Sequence, residues 1–176
     1  MLDSIITSKT RIKLLLKFFL NSQTKSYLRN LEQEFGESSN AIRVELNRLE
    51  DAGLLESELT GNRKYFQANT KHPLFKDLNN ILKKIVGIDQ VIEKILTQIG
   101  ELEAAYLTGD FANGRDSQII DLVLIGVDLD NNYITQLIEK TELIIERKIR
   151  HLILTKNQMS DFFRNKPTLL IWKRDV

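Results

Sequence analysis

The stretch from Thr108 to Gly126, TGDFANGRDSQIIDLVLIG, holds the residues whose types and spacing are best suited to chemistry. A glycine turn at Gly109 leads through a short polar segment into an apolar strand that carries one carboxylate, Asp121. Backbone N–H groups at such a turn can bind phosphate oxygens, and carboxylates hold the Mg²⁺ ions of phosphoryl transfer. The stretch therefore predicts a phosphate-handling site, or the remnant of one, formed by Gly109, Asp110, Gly114 and Asp121.

The chain has few residues that could form other kinds of reactive site. The sequence has no cysteine, which excludes disulfides, thiolate zinc sites and cysteine catalysis. Its two histidines, His72 and His151, lie far apart in the sequence. We therefore expect no transition-metal site and no cofactor.

Composition and charge favour a protein of the cytoplasm. The net charge is +1, so that any basic surface must be local. The first twenty residues have an acidic residue, Asp3, near their start and intersperse lysine and arginine among apolar residues, which does not resemble a signal peptide. No apolar run is long enough for a transmembrane helix. We expect a cytoplasmic location and no membrane contact.

The first seventy residues carry the periodicity of three short helices followed by a hairpin. Serines and glycines at suitable places predict where these helices begin and end. The predicted elements are a helix at 8–21 capped by Ser8, a helix within 25–36 that stops at Gly36, a helix capped by Ser38 or Ser39 that ends at Gly53, and strands at 54–59 and 64–68 around the turn TGNR.

This order, together with the stretch SSNAIRVELNRLEDAGLL, resembles the winged helix-turn-helix of ArsR-type bacterial regulators, in which a phrase such as LEDAGL (residues 49–54) leads into the wing. The resemblance implies a third helix that reads base edges and a wing that contacts phosphate or the minor groove. A small helical core with an incidental hairpin, or a winged helix that binds protein, are the alternatives. The candidate DNA-binding residues are Ser39, Asn40, Arg43, Val44, Asn47, Asn62, Arg63 and Lys64.

The segment from 74 to 99 has isoleucine and leucine at alternating spacings of four and three residues, which is a heptad pattern. Such a seam predicts a helical connector that forms a homodimer. Gly87 leaves two interpretations open: one continuous helix, or two helices packed on their own domain. Residues 1–70 have a net charge of only +1, so that a dimer with two-fold symmetric half-sites is the form expected to bind DNA.

From residue 100 onward, strand and helix patterns alternate as in a small α/β domain. The predicted elements are strands at 103–108, 119–126, 150–155 and 168–173, with helices at 131–148 and at 156–165, the second capped by Thr155.

This part resembles the minimal nucleotidyltransferase superfamily, whose members have a Gly-Ser turn, two carboxylates one residue apart on the next strand, and a third on a later strand. Here Asp110 replaces the serine, Ile119 stands at the first carboxylate position, and RHLILT at 150–155 has no carboxylate. Because Asp121 alone cannot hold two Mg²⁺ ions, the resemblance implies a degenerate site without metal. Asp121 is expected to accept from backbone N–H groups or to pair with a nearby cation such as Arg115 or His151.

Taken together, these patterns predict an α+β fold with a winged helix at 1–70, a helical connector at 71–99 and a nucleotidyltransferase-like domain at 100–176. The function predicted is a DNA-binding transcriptional regulator, not an enzyme, that binds duplex DNA as a homodimer. The C-terminal domain would be a scaffold or sensor that could bind a nucleotide or a protein. The alternative is an active nucleotidyltransferase that modifies a toxin or a small molecule.

Overall fold

The computed structural model describes residues 6–174 of the chain. These residues form helices and two separate β-sheets, so that the fold is of the mixed α+β type. The chain divides into two compact units, with the break between Ile85 and Val86. We describe each unit by itself. No helix among the described residues is both long and apolar enough to cross a membrane.

The N-terminal unit consists of helices and a three-stranded antiparallel sheet of order β1-β3-β2. A two-residue turn, Gly61 and Asn62, joins β2 to β3, since Thr60 pairs directly with Arg63. The elements are α1 (Lys9–Leu15), which continues as a π-helical turn (Leu16–Leu20), β1 (Ser26–Tyr27), α2 (Leu28–Phe35), α3 (Ser39–Asp51), β2 (Leu55–Thr60), β3 (Arg63–Ala68) and α4 (Phe75–Val86).

Helix ends in this unit follow local capping chemistry. The Ser8 hydroxyl accepts a hydrogen bond from the Arg11 N–H, and Gly36 ends α2 in the left-handed conformation with φ +65°. For α3, Ser38 is the capping residue, because its hydroxyl accepts from the Ala41 N–H; Ser39 is already helical. The two serines are adjacent, and sequence alone left the choice between them open.

Two ion pairs, each with one buried partner, tie the helices of this unit together. Lys17 Nζ lies 2.9 Å from Glu34 Oε2, and only 8% and 17% of these side chains are exposed. Glu45 is buried and accepts hydrogen bonds from Arg11 and from Ser8. Burial raises the pKa of Glu45, but the hydrogen bonds from Arg11 and Ser8 outweigh it, so that the pKa lies below the ordinary value.

The C-terminal unit is built around a four-stranded mixed sheet of order β6-β5-β4-β7. Strands β5 and β6 are parallel, and the other pairs are antiparallel. The elements are α5 (Ile88–Lys94), a 3₁₀ turn (Leu96–Gln98), β4 (Leu102–Thr108), α6 (Gly109–Ala112), β5 (Ile119–Gly126), α7 (Asn131–Ile145), β6 (Lys148–Leu154), α8 (Lys156–Phe163) and β7 (Leu169–Lys173).

The heptad segment forms two helices rather than one. Gly87 takes the left-handed conformation, with φ +83°, and breaks the segment between α4 and α5. Ile88 and Ile95 are fully buried, and a Cβ on Gly87 would lie 3.0 Å from Ile145 in α7. The second half of the isoleucine seam therefore packs within its own unit and is not free to face a partner chain.

The register of the sheet decides which side chains share a face. In the parallel pair, Asp121 lies beside Arg150, and Ile125 beside Leu154. Because side chains alternate along a strand, Asp121 and Arg150 project from the face on which Ile125 and Leu154 form a small core under α8. His151 therefore projects from the opposite face.

Candidate functional site at the Gly109 turn

The turn between β4 and β5 brings Gly109 against Asp121. Thr108, the last residue of β4, pairs with Asp121, so that the chain enters the turn next to this carboxylate. Gly109 has φ +63°, and a Cβ at this position would lie 2.5 Å from Asp121 Oδ2. Glycine is thus required here both by the backbone conformation and by the close approach of the carboxylate.

Asp121 forms a two-point ion pair with Arg150. The Nε atom of Arg150 donates to Oδ1 at 2.7 Å, and its Nη2 atom donates to Oδ2 at 2.9 Å. Asp121 is 25% exposed and Arg150 is 68% exposed. A guanidinium in this position meets solvent on its outer side, so that it can bind an incoming anion or swing away from the carboxylate.

Asp110 acts on the same guanidinium. The pKa of Arg150 is raised, first by its hydrogen bond to Asp121, then by the charge of Asp121 and, less strongly, by the charge of Asp110. Asp110 itself lies 3.4 Å from Arg115, and about half of each side chain is exposed. Two carboxylate–arginine pairs, Asp121 with Arg150 and Asp110 with Arg115, therefore lie at this turn.

Arg147 holds the polar segment that precedes β5. Its Nη1 atom lies 2.7 Å from Asp116 Oδ1 and also donates to the Ser117 carbonyl. Its guanidinium lies 5.6 Å from the ring centroid of Phe111, which is fully buried. These contacts fix the segment between α6 and β5, and hence the position of the turn relative to Asp121.

The remaining candidates lie to the side of this cluster. Gly114 is buried and left-handed, with φ +71°, and its N–H donates to the Phe111 carbonyl just beyond α6. His151 lies 2.8 Å from Asn131 Oδ1, and burial lowers its pKa. The sequence predicted Arg115 or His151 as the cation beside Asp121. The structure shows Arg150 in this place.

The carboxylates do not form a two-metal centre. Such a centre needs several oxygen ligands on each of two ions about 3.5–4 Å apart. Ile119 occupies the first carboxylate position and is partly exposed. Among residues 6–174, no three side chains of histidine, aspartate or glutamate converge in a way that could hold a metal ion.

A second concave surface lies in the N-terminal unit, and we call it the α3 groove. It has a volume of about 650 Å³. Six of the eight predicted DNA-binding residues line it, whereas Asn40 and Val44 do not. The six are Ser39, Arg43, Asn47, Asn62, Arg63 and Lys64.

The other side of the α3 groove includes residues that the sequence did not single out. Tyr27 in β1 and Leu28 and Arg29 at the start of α2 line it, because β1 pairs with β3 and so lies next to the wing. The two-residue strand β1 is too short to show a period, and the helix was expected to begin earlier. The pattern of tyrosine followed by leucine and arginine was the only feature of the sequence that could have indicated this side of the groove.

Comparison with known proteins finds only remote likenesses. No protein family and no curated protein matches the chain. Three solved structures resemble about half of it. They are AF1382 from Archaeoglobus fulgidus (15% identity, 53% of this chain, 98% of that chain, TM-score 0.39), the toxin–antitoxin MntA-HpeT mutant Y104A (18%, 50%, 73%, 0.39) and a protein described as a nucleotidyltransferase from Sulfolobus solfataricus (18%, 53%, 83%, 0.38).

Two predictions from the sequence need correction. None of these three structures is named as a transcriptional regulator, whereas one is described as a nucleotidyltransferase, and this contradicts the predicted DNA-binding regulator that is not an enzyme. The physical reason for the mistake lies in the turn. The prediction treated Asp121 as a lone carboxylate and Asp110 only as a negative charge in place of the turn serine, whereas each of the two is paired with an arginine, Arg150 and Arg115. At these identities and TM-scores the likenesses carry no argument about substrate or reaction.

Proposed function

We propose that this protein is a nucleotidyltransferase: it binds a nucleoside triphosphate at the Gly109 turn and transfers the nucleotidyl group to a protein toxin or a small molecule. The observation that carries the proposal is the two-point ion pair between Asp121 and the exposed guanidinium of Arg150, beside a glycine turn that brings Gly109 against Asp121. A cation therefore already lies against a carboxylate at this turn, and the charge of Asp110 adds to the rise in the pKa of Arg150.

In this proposal, Arg150 is the residue that receives the nucleotide. Its side chain is 68% exposed, and guanidinium groups bind phosphate oxygens with the same fork that they offer to a carboxylate. When Arg150 turns from Asp121 to a phosphate, the carboxylate that it leaves is free to serve as a ligand or to orient the acceptor. Arg115, next to Asp110, offers a second guanidinium for the same phosphates.

The transfer then exchanges the phosphoanhydride bond between the α- and β-phosphates for a bond from the α-phosphorus to an acceptor oxygen. An oxygen of the acceptor bonds to the α-phosphorus of the nucleotide, the bond from that phosphorus to the pyrophosphate breaks, and the acceptor proton leaves to water. Negative charge grows on the leaving pyrophosphate, and the role of Arg150 and Arg115 is to stabilise it. The turn and the segment held by Arg147 keep these groups in place.

The donor set suits one Mg²⁺ ion that enters with the nucleotide. In phosphoryl-transfer sites Mg²⁺ keeps several waters and binds one or two carboxylates together with the substrate phosphates. Asp121 and Asp110 supply two carboxylates on one side of the turn, and nothing among the described residues supplies ligands for a second ion. Bound there, the ion would neutralise charge on the phosphates.

Transfer of label from nucleoside triphosphates tests the proposal. We expect wild-type protein, supplied with Mg²⁺ or Mn²⁺ and with an extract of small molecules and proteins as acceptors, to form a labelled product. Asp121→Asn should abolish the label, and Arg150→Gln should raise the nucleotide concentration needed for half-maximal rate.

The matched control is an exposed pair elsewhere in the same unit. Asp161 and Arg164 lie 3.1 Å apart on or next to α8 and are 80% and 73% exposed. Asp161→Asn and Arg164→Gln should leave transfer unchanged. Labelling that survives Asp121→Asn would refute the proposal.

For the N-terminal unit, we propose the winged helix-turn-helix fold. The order of α1, β1, α2, α3 and the hairpin β2–β3 supports this, together with the sheet order β1-β3-β2. Association into a homodimer stays a proposal as well. Two apolar side chains support a homodimer, because both are about half exposed: Leu74 just before α4 and Ile81 within it.

A further inference from the structure

The α3 groove is a built cavity with an apolar floor and a cationic rim. Phe66 and Leu46 form part of its lining, and 4% and 1% of these residues are exposed. Four cationic side chains line the groove, at Arg29, Arg43, Arg63 and Lys64, against one carboxylate, Glu32. Its volume of about 650 Å³ falls within the range of about 300–1,000 Å³ that is typical of small-molecule sites.

Two of the four cationic side chains have no charged or hydrogen-bonding partner among the described residues. Arg29 and Arg43 are exposed, and within residues 6–174 neither forms an ion pair or a hydrogen bond through its side chain. Lys64, in contrast, lies 2.6 Å from Glu50, and Arg63 lies over the ring of Tyr27. Unpaired guanidinium groups on both sides of a groove are suited to an anion that enters it.

The edge of the groove offers a surface for a planar group. The guanidinium carbon of Arg63 lies 4.8 Å from the ring centroid of Tyr27, and the Tyr27 ring meets Tyr65 edge-on at 5.2 Å. Nucleobases stack on aromatic rings and on arginine planes. The amides of Asn47 and Asn62 line the same groove and can both donate to and accept from the edge of a base.

From these features we infer that the α3 groove binds a nucleotide, with its phosphate on Arg29 and Arg43 and its base against the apolar floor near Tyr27. The ligand is either a free nucleotide or one unit of a single strand. A duplex offers its outer phosphates to such a surface and keeps its bases stacked, so that the apolar floor would stay uncovered. The inference concerns the N-terminal unit alone and does not depend on transfer at the Gly109 turn.

Calorimetric titration of the full-length protein tests the inference with three probes: ATP, the single strand dT5, and a mixed-sequence duplex of 20 base pairs. Arg43→Gln should weaken binding of ATP or of dT5 by about tenfold or more, since a hydrogen bond to a charged group is lost. Arg48→Gln is the control, because Arg48 lies on the same helix and is 62% exposed but does not line the groove. It should leave the affinity unchanged.

Substitutions of Tyr27 test whether the base of the nucleotide binds near its ring. Tyr27→Phe keeps the ring and should bind as the wild type does, whereas Tyr27→Leu should weaken binding about fivefold or more. Circular dichroism of each variant shows whether the unit is folded, and the Arg43 variant, at an exposed position, decides the question if Tyr27→Leu does not fold.

The results distinguish a free nucleotide from a single strand as the ligand, and the α3 groove from the Gly109 turn as the binding site. Binding of ATP that depends on Arg43 indicates a free nucleotide, and binding of dT5 alone indicates a single strand; both support the inference. Binding of ATP that is lost in Arg150→Gln but kept in Arg43→Gln places the nucleotide only at the Gly109 turn and overturns it. Binding of the duplex alone, equal losses in Arg43→Gln and Arg48→Gln, or no binding of any probe also overturn it.

Discussion

Replacing Gly109 by alanine should destabilise the C-terminal unit, for two reasons that can be measured apart. The residue has φ +63°, which costs an L-residue about 1–2 kcal/mol. The new Cβ would also lie 2.5 Å from Asp121 Oδ2, so that the carboxylate must move, and crowding of this kind costs about 1–3 kcal/mol. We expect a total loss of about 2–5 kcal/mol in the free energy of unfolding.

The two contributions separate in a double-mutant cycle with Asp121→Ala. Without the carboxylate, Gly109→Ala should cost only the backbone term of about 1–2 kcal/mol. Gly36→Ala in the N-terminal unit, followed by circular dichroism, is an independent reference for the backbone contribution, since Gly36 has φ +65° and nothing within 4 Å of the Cβ position.

Fluorescence gives a direct probe for this experiment. The chain has one tryptophan, and Trp172 lies in β7 of the C-terminal unit. Denaturant unfolding followed at Trp172 therefore reports the stability of this unit. If Gly109→Ala costs less than about 0.5 kcal/mol, or costs the same in the Asp121→Ala background, the close approach of turn and carboxylate is refuted.

Two further predictions concern the N-terminal unit. Lys17→Ala should lower the free energy of unfolding of this unit by about 1–3 kcal/mol in denaturant melts, because Glu34 loses the ammonium group that donates to both of its carboxylate oxygens. The double change Lys17→Met with Glu34→Met should cost less, and equal costs would contradict the contribution of this pair. The lowered pKa of Glu45 in the folded state means that its stabilisation is present above the unfolded pKa and is lost as the pH falls through the folded pKa. Circular dichroism melts between pH 7 and pH 3 should therefore show a loss of stability on acidification that is smaller in Glu45→Gln, and an unchanged pH profile in that variant would contradict this role.

Most elements could be predicted from the sequence because their signals are local. The alternation in β4 to β7, the cap at Thr155 and the glycine at Gly36 each depend on a few neighbouring residues. The sequence allowed either one continuous helix or a break at Gly87, and only packing against Ile145 decides between them. Local signals therefore predict elements well and leave the choice between packing alternatives open.

The candidate site was harder to predict, since it depends on strand register. Which residue of β6 lies beside Asp121 follows from pairing in a parallel sheet, and a shift by one residue exchanges Arg150 for His151. Likewise, nothing in the sequence shows that Asp110, outside any strand, acts on the same guanidinium as Asp121. The site therefore appears only when the tertiary structure is known.

The position of the transferred label tests the central proposal most directly. Two parallel reactions contain the protein, Mg²⁺ and acceptor extract, one with ATP labelled at the α-phosphate and the other with ATP labelled at the γ-phosphate. If the protein transfers a nucleotidyl group, the α-label appears in the product and the γ-label leaves as pyrophosphate. Transfer of the γ-label to the product, or release of labelled pyrophosphate that continues unchanged in Asp121→Asn, would contradict the account.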